Sequence, residues 1–281
     1  MRGNNRMVKI LKKSLLYLIL ALLTVSFIFP FIWMLRSSFM NIGQMFKMPP
    51  EWIPNPFSTA GFQEAMTQTP LFEYTINTLI ILVSGTFGTI LTSSMAAYSF
   101  SRIEWRGREL VFSIILSSMM LPSFVTLIPQ FIMWNSLGAY DTFAPLIIPA
   151  FLGGGAFNIF LLRQFFLTIP QELDEAAMID GASKVQIFLK ILLPLCKSAL
   201  VVVGIFSFIF YWNDFFNPLI YLSSSSNFTL SIGLQQMIGQ YSTKWNVLMA
   251  ASTVVLIPCL IVFSVGQRYL LEGIAMTGIK A

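Results

Sequence analysis

Histidine is absent from this sequence, cysteine occurs twice, and charged residues make up only 10% of the chain. With no histidine and only Cys196 and Cys259, there is no zinc-type ligand set. Both thiols read as small apolar residues at or inside helices, and neither metal nor cofactor is expected. Acid–base chemistry loses its commonest carrier, and no paired carboxylates lie in the apolar stretches, which argues against an intramembrane enzyme. The shortage of charge excludes an ordinary soluble domain, where about 25% of residues are charged. No stretch fits GxxxxGK[ST], so nothing here cradles ATP phosphates as a P-loop does. No segment outside the apolar runs is long enough to bury a core of its own.

What the chain has instead is apolar length: 56% of its 281 residues are hydrophobic. A hydrocarbon core of ~30 Å needs about 20 apolar residues per helix. Six stretches qualify: Leu15 to Leu35, Ile76 to Phe100, Leu110 to Met133, Phe143 to Phe166, Ala199 to Tyr221 and Val247 to Leu271. Pro145, Pro149 and Gly153 to Gly155 interrupt the fourth, which membrane helices tolerate where neighbours satisfy the freed backbone. The expectation is an all-α integral membrane protein of six transmembrane helices, with a short N-terminal segment 1–14, a spanning domain 15–271 and a tail 272–281.

Lysine and arginine orient such a chain, because positively charged loops stay in the cytoplasm. Placing the N-terminus inside puts 14 basic residues on that side, from Arg2 to Lys280, and leaves Arg36, Lys47 and Lys244 outside. Both termini are then cytoplasmic. The net charge of +5 is a topology signal and not a nucleic-acid footprint, which would need a basic patch on a soluble face. The basic start precedes an apolar run too long for a signal peptide, so it reads as a retained first helix. The proline-rich "MPPEWIPNPF" suggests an extended, ordered outer element.

Between the fourth and fifth apolar runs lies a charged segment, 167–198, containing "ELDEAAMIDGASKVQIFLKILLP". Thr168 is a candidate N-cap with Pro170 in the first turn, and Glu172, Asp174 and Glu175 suit the positive end of a helix dipole. Gly181 ends this helix. Ser183 and Gln186 have capping-box spacing for a second, and Pro194 marks the approach to the fifth span. An interfacial helix on anionic headgroups competes with a docking knob for a soluble partner. Three acids in one turn favour the knob, with Ala176 and Ala177 allowing close seating and Glu175 offering a carboxylate.

Glu175, Ala176 and Ala177, then three residues, Gly181, nine residues, Ile191, one residue, Leu193 and Pro194 resemble the EAA motif of bacterial ABC importer permeases at every fixed position. "NTLIILVSGTFGTILTSSMAAYSFSR", "WNDFFNPLIYL" and the tail "GQRYLLEGIAMTGIKA" extend the resemblance to the carbohydrate-uptake branch, closer to the maltose-type G subunit than to the F subunit. The resemblance implies a coupling helix seated in a cleft of a separate ATP-hydrolysing subunit dimer, with Glu175, Ala176, Ala177, Asp180 and Gly181 as its docking residues. It also implies a second, homologous permease subunit, an extracytoplasmic solute-binding protein delivering a sugar, and residence in the bacterial cell membrane. The chain itself is then expected to be non-catalytic.

Asp214 is the only acid inside an apolar run, and an intramembrane acid is a functional-site hypothesis by default. Gly204, Ser207, Tyr211, Asp214 and Pro218 follow heptad spacing, flanked by Asn213 and Asn217. Ser207, Tyr211, Asn213, Asp214 and Asn217 are therefore the candidate wall of a translocation path. Two other readings stand beside it: Asp214 and the asparagines bond across helices or cap a broken helix near Pro218, or Asp214 is the ion site of an ion-coupled secondary transporter.

Overall fold

In a computed structural model, residues 2–239 and 243–278 are described, and they are helical wherever they are regular. The helices in chain order are α1 (Arg2–Ser38), α2 (Ile42–Met45), α3 (Ala60–Gln68), α4 (Leu71–Arg102), α5 (Arg108–Ser118), α6 (Ser123–Ser136), α7 (Ala144–Phe151) and α8 (Ala156–Thr168). They continue with α9 (Glu172–Ile179), α10 (Lys184–Ile187), α11 (Leu193–Leu195), α12 (Lys197–Asn213), α13 (Phe216–Tyr221), α14 (Leu230–Gln236) and α15 (Trp245–Gly278). Lys280, counted among the inner cations, and the end of the tail lie outside the described residues. The chain forms two units, Met1–Pro70 with Leu234–Leu256 and Leu71–Gly233 with Ile257–Ala281.

Among the described residues four helices are long and apolar enough to cross a membrane, and a fifth span results if α12 is joined to the bent segment before it. The first, second and sixth apolar runs lie within α1, α4 and α15. Helix α1 also takes in the expected N-terminal segment without a break. The third run is divided into α5 and α6 at Met119–Pro122, because Pro122 has no N–H to give and turns the preceding residue out of the helical region. The fourth divides into α7 and α8 at Gly153, Gly154 and Gly155, whose φ values of 144°, 67° and 87° only glycine adopts without strain. The fifth stops at Asn213 and resumes at Phe216.

In the first unit the apolar length of α1 is exposed all round, the pattern of a helix that meets lipid or another chain. Past its end Phe39 stacks on Phe57 at 4.6 Å. Gly61 lies so close to the Asn246 carbonyl that a Cβ would stand 2.9 Å from it, and Lys244 pairs with Glu64. The proline-rich stretch forms no helix and is anchored by Arg36 Nε donating to the Glu51 carbonyl at 2.5 Å.

The second unit is built round α4. Its buried face includes Asn77, Thr78, Ile81, Gly85, Gly88, Thr89, Ser93 and Ala97, a stripe of small residues three and four apart that admits neighbours closely. At one end Ala97 and Tyr98 pack with Leu162, Phe165, Phe166, Phe188 and Leu192. Toward the other, Ile81 packs with Trp134, Leu146, Tyr221 and Leu222.

The segment 167–198 differs from expectation at its start. Thr168 is the last residue of α8, its hydroxyl donating to the Phe165 carbonyl, and the N-cap of α9 is Gln171. The chain turns extended one residue later, at Ile169 before Pro170, as the residue preceding a proline favours. Gly181 closes α9 in the left-handed region at φ 85°. Ser183 and Gln186 form the capping box, Ser183 N–H to Gln186 Oε1 at 2.7 Å and Gln186 N–H to Ser183 Oγ at 3.3 Å. The chain then widens into a π turn over Phe188–Leu192, where Leu193 N–H reaches the Phe188 carbonyl. It bends by 78° before α12.

Candidate functional site

Four of the five docking candidates, Glu175, Ala176, Asp180 and Gly181, are exposed on and just after α9, and Ala177 is turned inward and buried. One alanine, not two, is therefore free for a partner. The exposed surface includes apolar side chains that the motif does not name, Met178 and above all Ile179, which is 87% exposed. An apolar side chain so open, beside carboxylates, has the chemistry of an interface. Asp174 is buried and does not face outward with the other acids.

Asp174 is instead held by Arg102, the last residue of α4. The Arg102 side chain is 3% exposed, and its Nη1 stands 3.3 Å from Asp174 Oδ2. Nη2 donates to the carbonyls of Phe166 and Ile169, each at 2.6 Å. These carbonyls belong to the end of α8, where helix oxygens lack intrahelical partners and the dipole favours a cation. One turn earlier Tyr98 Oη donates to the Lys184 carbonyl at 3.0 Å, and its ring lies 5.0 Å from that of Phe188. Beside it Arg163 donates from Nε to the Phe100 carbonyl at 3.1 Å, pairs with Glu109 at 3.0 Å and lies 4.2 Å over the Phe112 ring.

The five path candidates separate into two groups. Ser207 and Tyr211 line a cavity of about 390 Å³ together with Thr89, Asn158, Phe157 and Phe210. The Tyr211 ring fills the space where a Cβ on Gly85 would stand, which explains a glycine there. Asn158 donates to the Gly154 carbonyl at 2.8 Å, and Thr92 Oγ1 shares its proton between the Gly88 and Ala150 carbonyls, each at 2.8 Å. The cavity thus combines aromatic faces with a few polar groups, the usual make-up of a small-molecule site.

Asn213, Asp214 and Asn217 do not line this cavity. Asn213 is exposed and donates back to the Ile209 carbonyl of its own helix at 2.8 Å. Asp214 Oδ1 accepts the Asn217 N–H at 3.2 Å, Oδ2 accepts Asn217 Nδ2 at 2.9 Å, and the Asp214 carbonyl accepts Ser231 Oγ at 2.6 Å. This is a cap on a broken helix. The heptad face therefore runs from Gly204 to Tyr211 and stops, because the carboxylate bonds the freed N–H and turns the backbone extended at Asp214.

A polar knot at the opposite end of α4 was not legible in the sequence. Asp141 adopts φ 58°, and its carboxylate accepts the N–H groups of Ser223 and Ser224 at 2.9 and 3.0 Å and the Ser224 hydroxyl. Asn227 Nδ2 donates to the Asp141 carbonyl at 2.8 Å. These bonds hold the Asp141 carboxyl well below the usual carboxylate range, the Ser224 hydroxyl contributing most. The loop they organise is tied to α4 by Asn77, which donates to the carbonyls of Ser226 and Phe228 at 2.7 and 3.0 Å. Among the described residues no group of three or more His, Cys, Asp or Glu side chains could hold a metal ion.

Long apolar helices with an acidic helix between two of them are the frame of a membrane protein, and similarity to known proteins places this one among the ABC transporter permeases. The chain belongs to the family described as binding-protein-dependent transport system inner membrane component, whose model matches residues 88–275. It is 31% identical to the inner membrane ABC transporter permease protein YcjP of Escherichia coli (strain K12), over 93% of this chain and 94% of that one. It is 29% identical to the sulfoquinovosyl glycerol transport system permease protein SmoH of Agrobacterium fabrum, over 95% and 94%. Among solved structures, a chain of a bacterial ABC transporter involved in import of the acidic polysaccharide alginate shares the fold with a TM-score of 0.82 at 24% identity, over 91% of this chain and 95% of that chain.

Proposed function

We propose that the chain is one permease subunit of an ATP-driven importer that moves a sugar or oligosaccharide, handed over by an extracytoplasmic solute-binding protein, across a bacterial cell membrane. It spans the bilayer six times with both termini in the cytoplasm. It pairs with a second, homologous permease and draws its energy from a separate ATPase dimer. The cation bias of the loops supports the orientation, and the relatives named for carbohydrate transport support the solute class.

The observation that carries this reading is the division of labour on α9. Asp174 and Ala177 face the rest of the chain, while Glu175, Ala176, Ile179 and Asp180 are left open. A helix fixed on one face and bare on the other is suited to transmit a push from a soluble partner. The Ser207–Tyr211 cavity is the path wall in this chain, with the Tyr211 and Phe157 rings as stacking faces for sugar rings and Ser207 and Asn158 as hydrogen-bonding groups. Against the ion-coupled alternative stands the family itself, whose relatives are named as ABC transporter permeases.

The test is co-purification from native membranes through a tag on this chain. Glu175→Lys and Ile179→Asp are expected to leave insertion intact and to deplete the ATPase subunit. Tyr211→Ala is expected to leave that subunit in place. ATPase recovery undiminished by both α9 changes would sink the docking role.

A further inference from the structure

The helices that directly flank the coupling segment, α8 and α12, are its obvious levers, yet side chains of a helix distant in sequence also bond to it. We infer that α4 is a third transmission element, and that Arg102 and Tyr98 are the positioning residues through which it follows α9 and α10. The inference rests on the reading of α9 as a coupling helix. It adds a route from that helix to the cavity that the flanking spans do not supply.

Three elements meet on one turn of α4. Arg102 holds the end of α8 through two 2.6 Å bonds and α9 through the Asp174 pair, and Tyr98 holds the first residue of α10. The grip on α8 is tight, whereas the grip on α9 is a 3.3 Å charge contact without a hydrogen bond, leaving Arg102 Nε and Nη1 and Asp174 Oδ1 without hydrogen-bond partners. Unpaired buried groups are costly, so a displacement of α9 that loses the ion pair leaves the Arg102 guanidinium, 3% exposed, without its counter-charge. Breaking a buried pair is strongly unfavourable, and α4 is therefore drawn along when α9 moves.

The other end of this route is already at the cavity. Ten residues before Arg102, about 15 Å along the helix, Thr92 Oγ1 lies 2.8 Å from the Ala150 carbonyl, its proton shared with the Gly88 carbonyl of α4. Thr89, one turn further, lines the cavity with Tyr211, whose ring packs on Gly85 of α4. Gly154 seats directly on this part of α4, where an added Cβ would stand 2.6 Å from the Thr89 carbonyl and 2.8 Å from Ser93 N. A shift of α4 along its axis must therefore move the cavity wall or break these contacts, since close-packed interiors do not absorb such displacements gradually.

The test uses the assembled complex purified from native membranes through a tag on this chain. Phe157→Cys, on the exposed cavity rim, reports the wall through its rate of labelling by N-ethylmaleimide, read by peptide mass spectrometry. Rates are compared without nucleotide and after trapping with ATP and vanadate. In the reporter background these rates are expected to differ by about fivefold or more. Arg102→Lys, which keeps the charge but not the fork, and Tyr98→Phe, which removes one hydroxyl, are expected to bring the ratio toward one while ATP hydrolysis continues. A residue that only stabilised the fold would lower assembly and hydrolysis together and leave the ratio alone. The wild-type ratio persisting in both variants would overturn the inference. Should Arg102→Lys fail to assemble, Tyr98→Phe decides alone. Absence of any ATPase subunit from the unmutated complex would overturn the coupling reading itself.

Discussion

At one end of α4 a buried cation, Arg102, gathers two carbonyl oxygens and a carboxylate. At the other, about 37 Å of helix away by the rise from Asn77, a surface anion, Asp141, gathers backbone N–H groups and a hydroxyl. Both knots tie segments remote in sequence, and both use one charge to satisfy several backbone groups. They differ in what failure costs. Loss of Arg102 leaves Asp174, whose side chain is only 13% exposed, without its counter-charge and the end of α8 without its donor. Loss of Asp141 exposes N–H groups that water can reach. A charge near the membrane is thus a structural commitment at the first site and an adjustable fastening at the second.

The comparison is tested most severely by Arg102→Met. This change is expected to destabilise the chain by about 3–5 kcal/mol, the range for removing one partner of a buried pair, seen as a lowered thermal midpoint or lost accumulation in membranes. The double variant with Asp174→Asn should recover part of that loss, because no unpaired charge then remains. A milder loss for the single change than for the double would break the comparison.

Gly154→Ala addresses the stretch between the two knots. Its left-handed φ and the close approach to α4 together cost about 2–4 kcal/mol, from backbone strain and overpacking. Gly181→Ala is the control: it has the same φ sign but open space for a Cβ, so only the strain, about 1–2 kcal/mol, applies. Equal thermal shifts for the two would remove the argument that Gly154 is a packing seat.

The smallest effect at neutral pH is expected for Asp141→Asn, and its value lies in its pH dependence. The folded carboxyl titrates below its ordinary value, so its contribution is complete above the unfolded value of about 3.9. It disappears as pH falls from there through the depressed folded value. Acid melts of the wild-type chain should therefore lose stability below about pH 4 that the Asn variant never had. Parallel acid profiles for the two proteins would show that the knot contributes nothing.

Features set by neighbouring residues were legible in the sequence. The capping box at Ser183, the stop at Gly181 and the apolar length of α1, α4 and α15 all follow from local chemistry. Features closed over long sequence distance were not. Nothing in "AYSFSR" shows that Arg102 will meet Asp174, although an arginine ending a long apolar run could have prompted a search for a buried acid. The heptad face of α12 failed at Asp214 because periodicity assumes an unbroken helix, and an aspartate next to a proline-containing segment has a competing partner in its own backbone. Asp141 drew no notice because loops were weighed by lysine and arginine alone, a criterion blind to carboxylates.

The break at Gly153 to Gly155 has an electrical side. It brings the carbonyl end of α7 and the N–H end of α8 together within a 25-residue apolar stretch. Each end carries a partial charge of about half a unit, negative and positive respectively. In surroundings of low polarity such charges act over longer distances than in water. Part of the polarity of the cavity beside Gly154 and Gly155 therefore comes from the main chain. It accompanies the three-glycine bend whatever side chains are exchanged around it, so a scan that replaces side chains one at a time will under-read how polar that wall is.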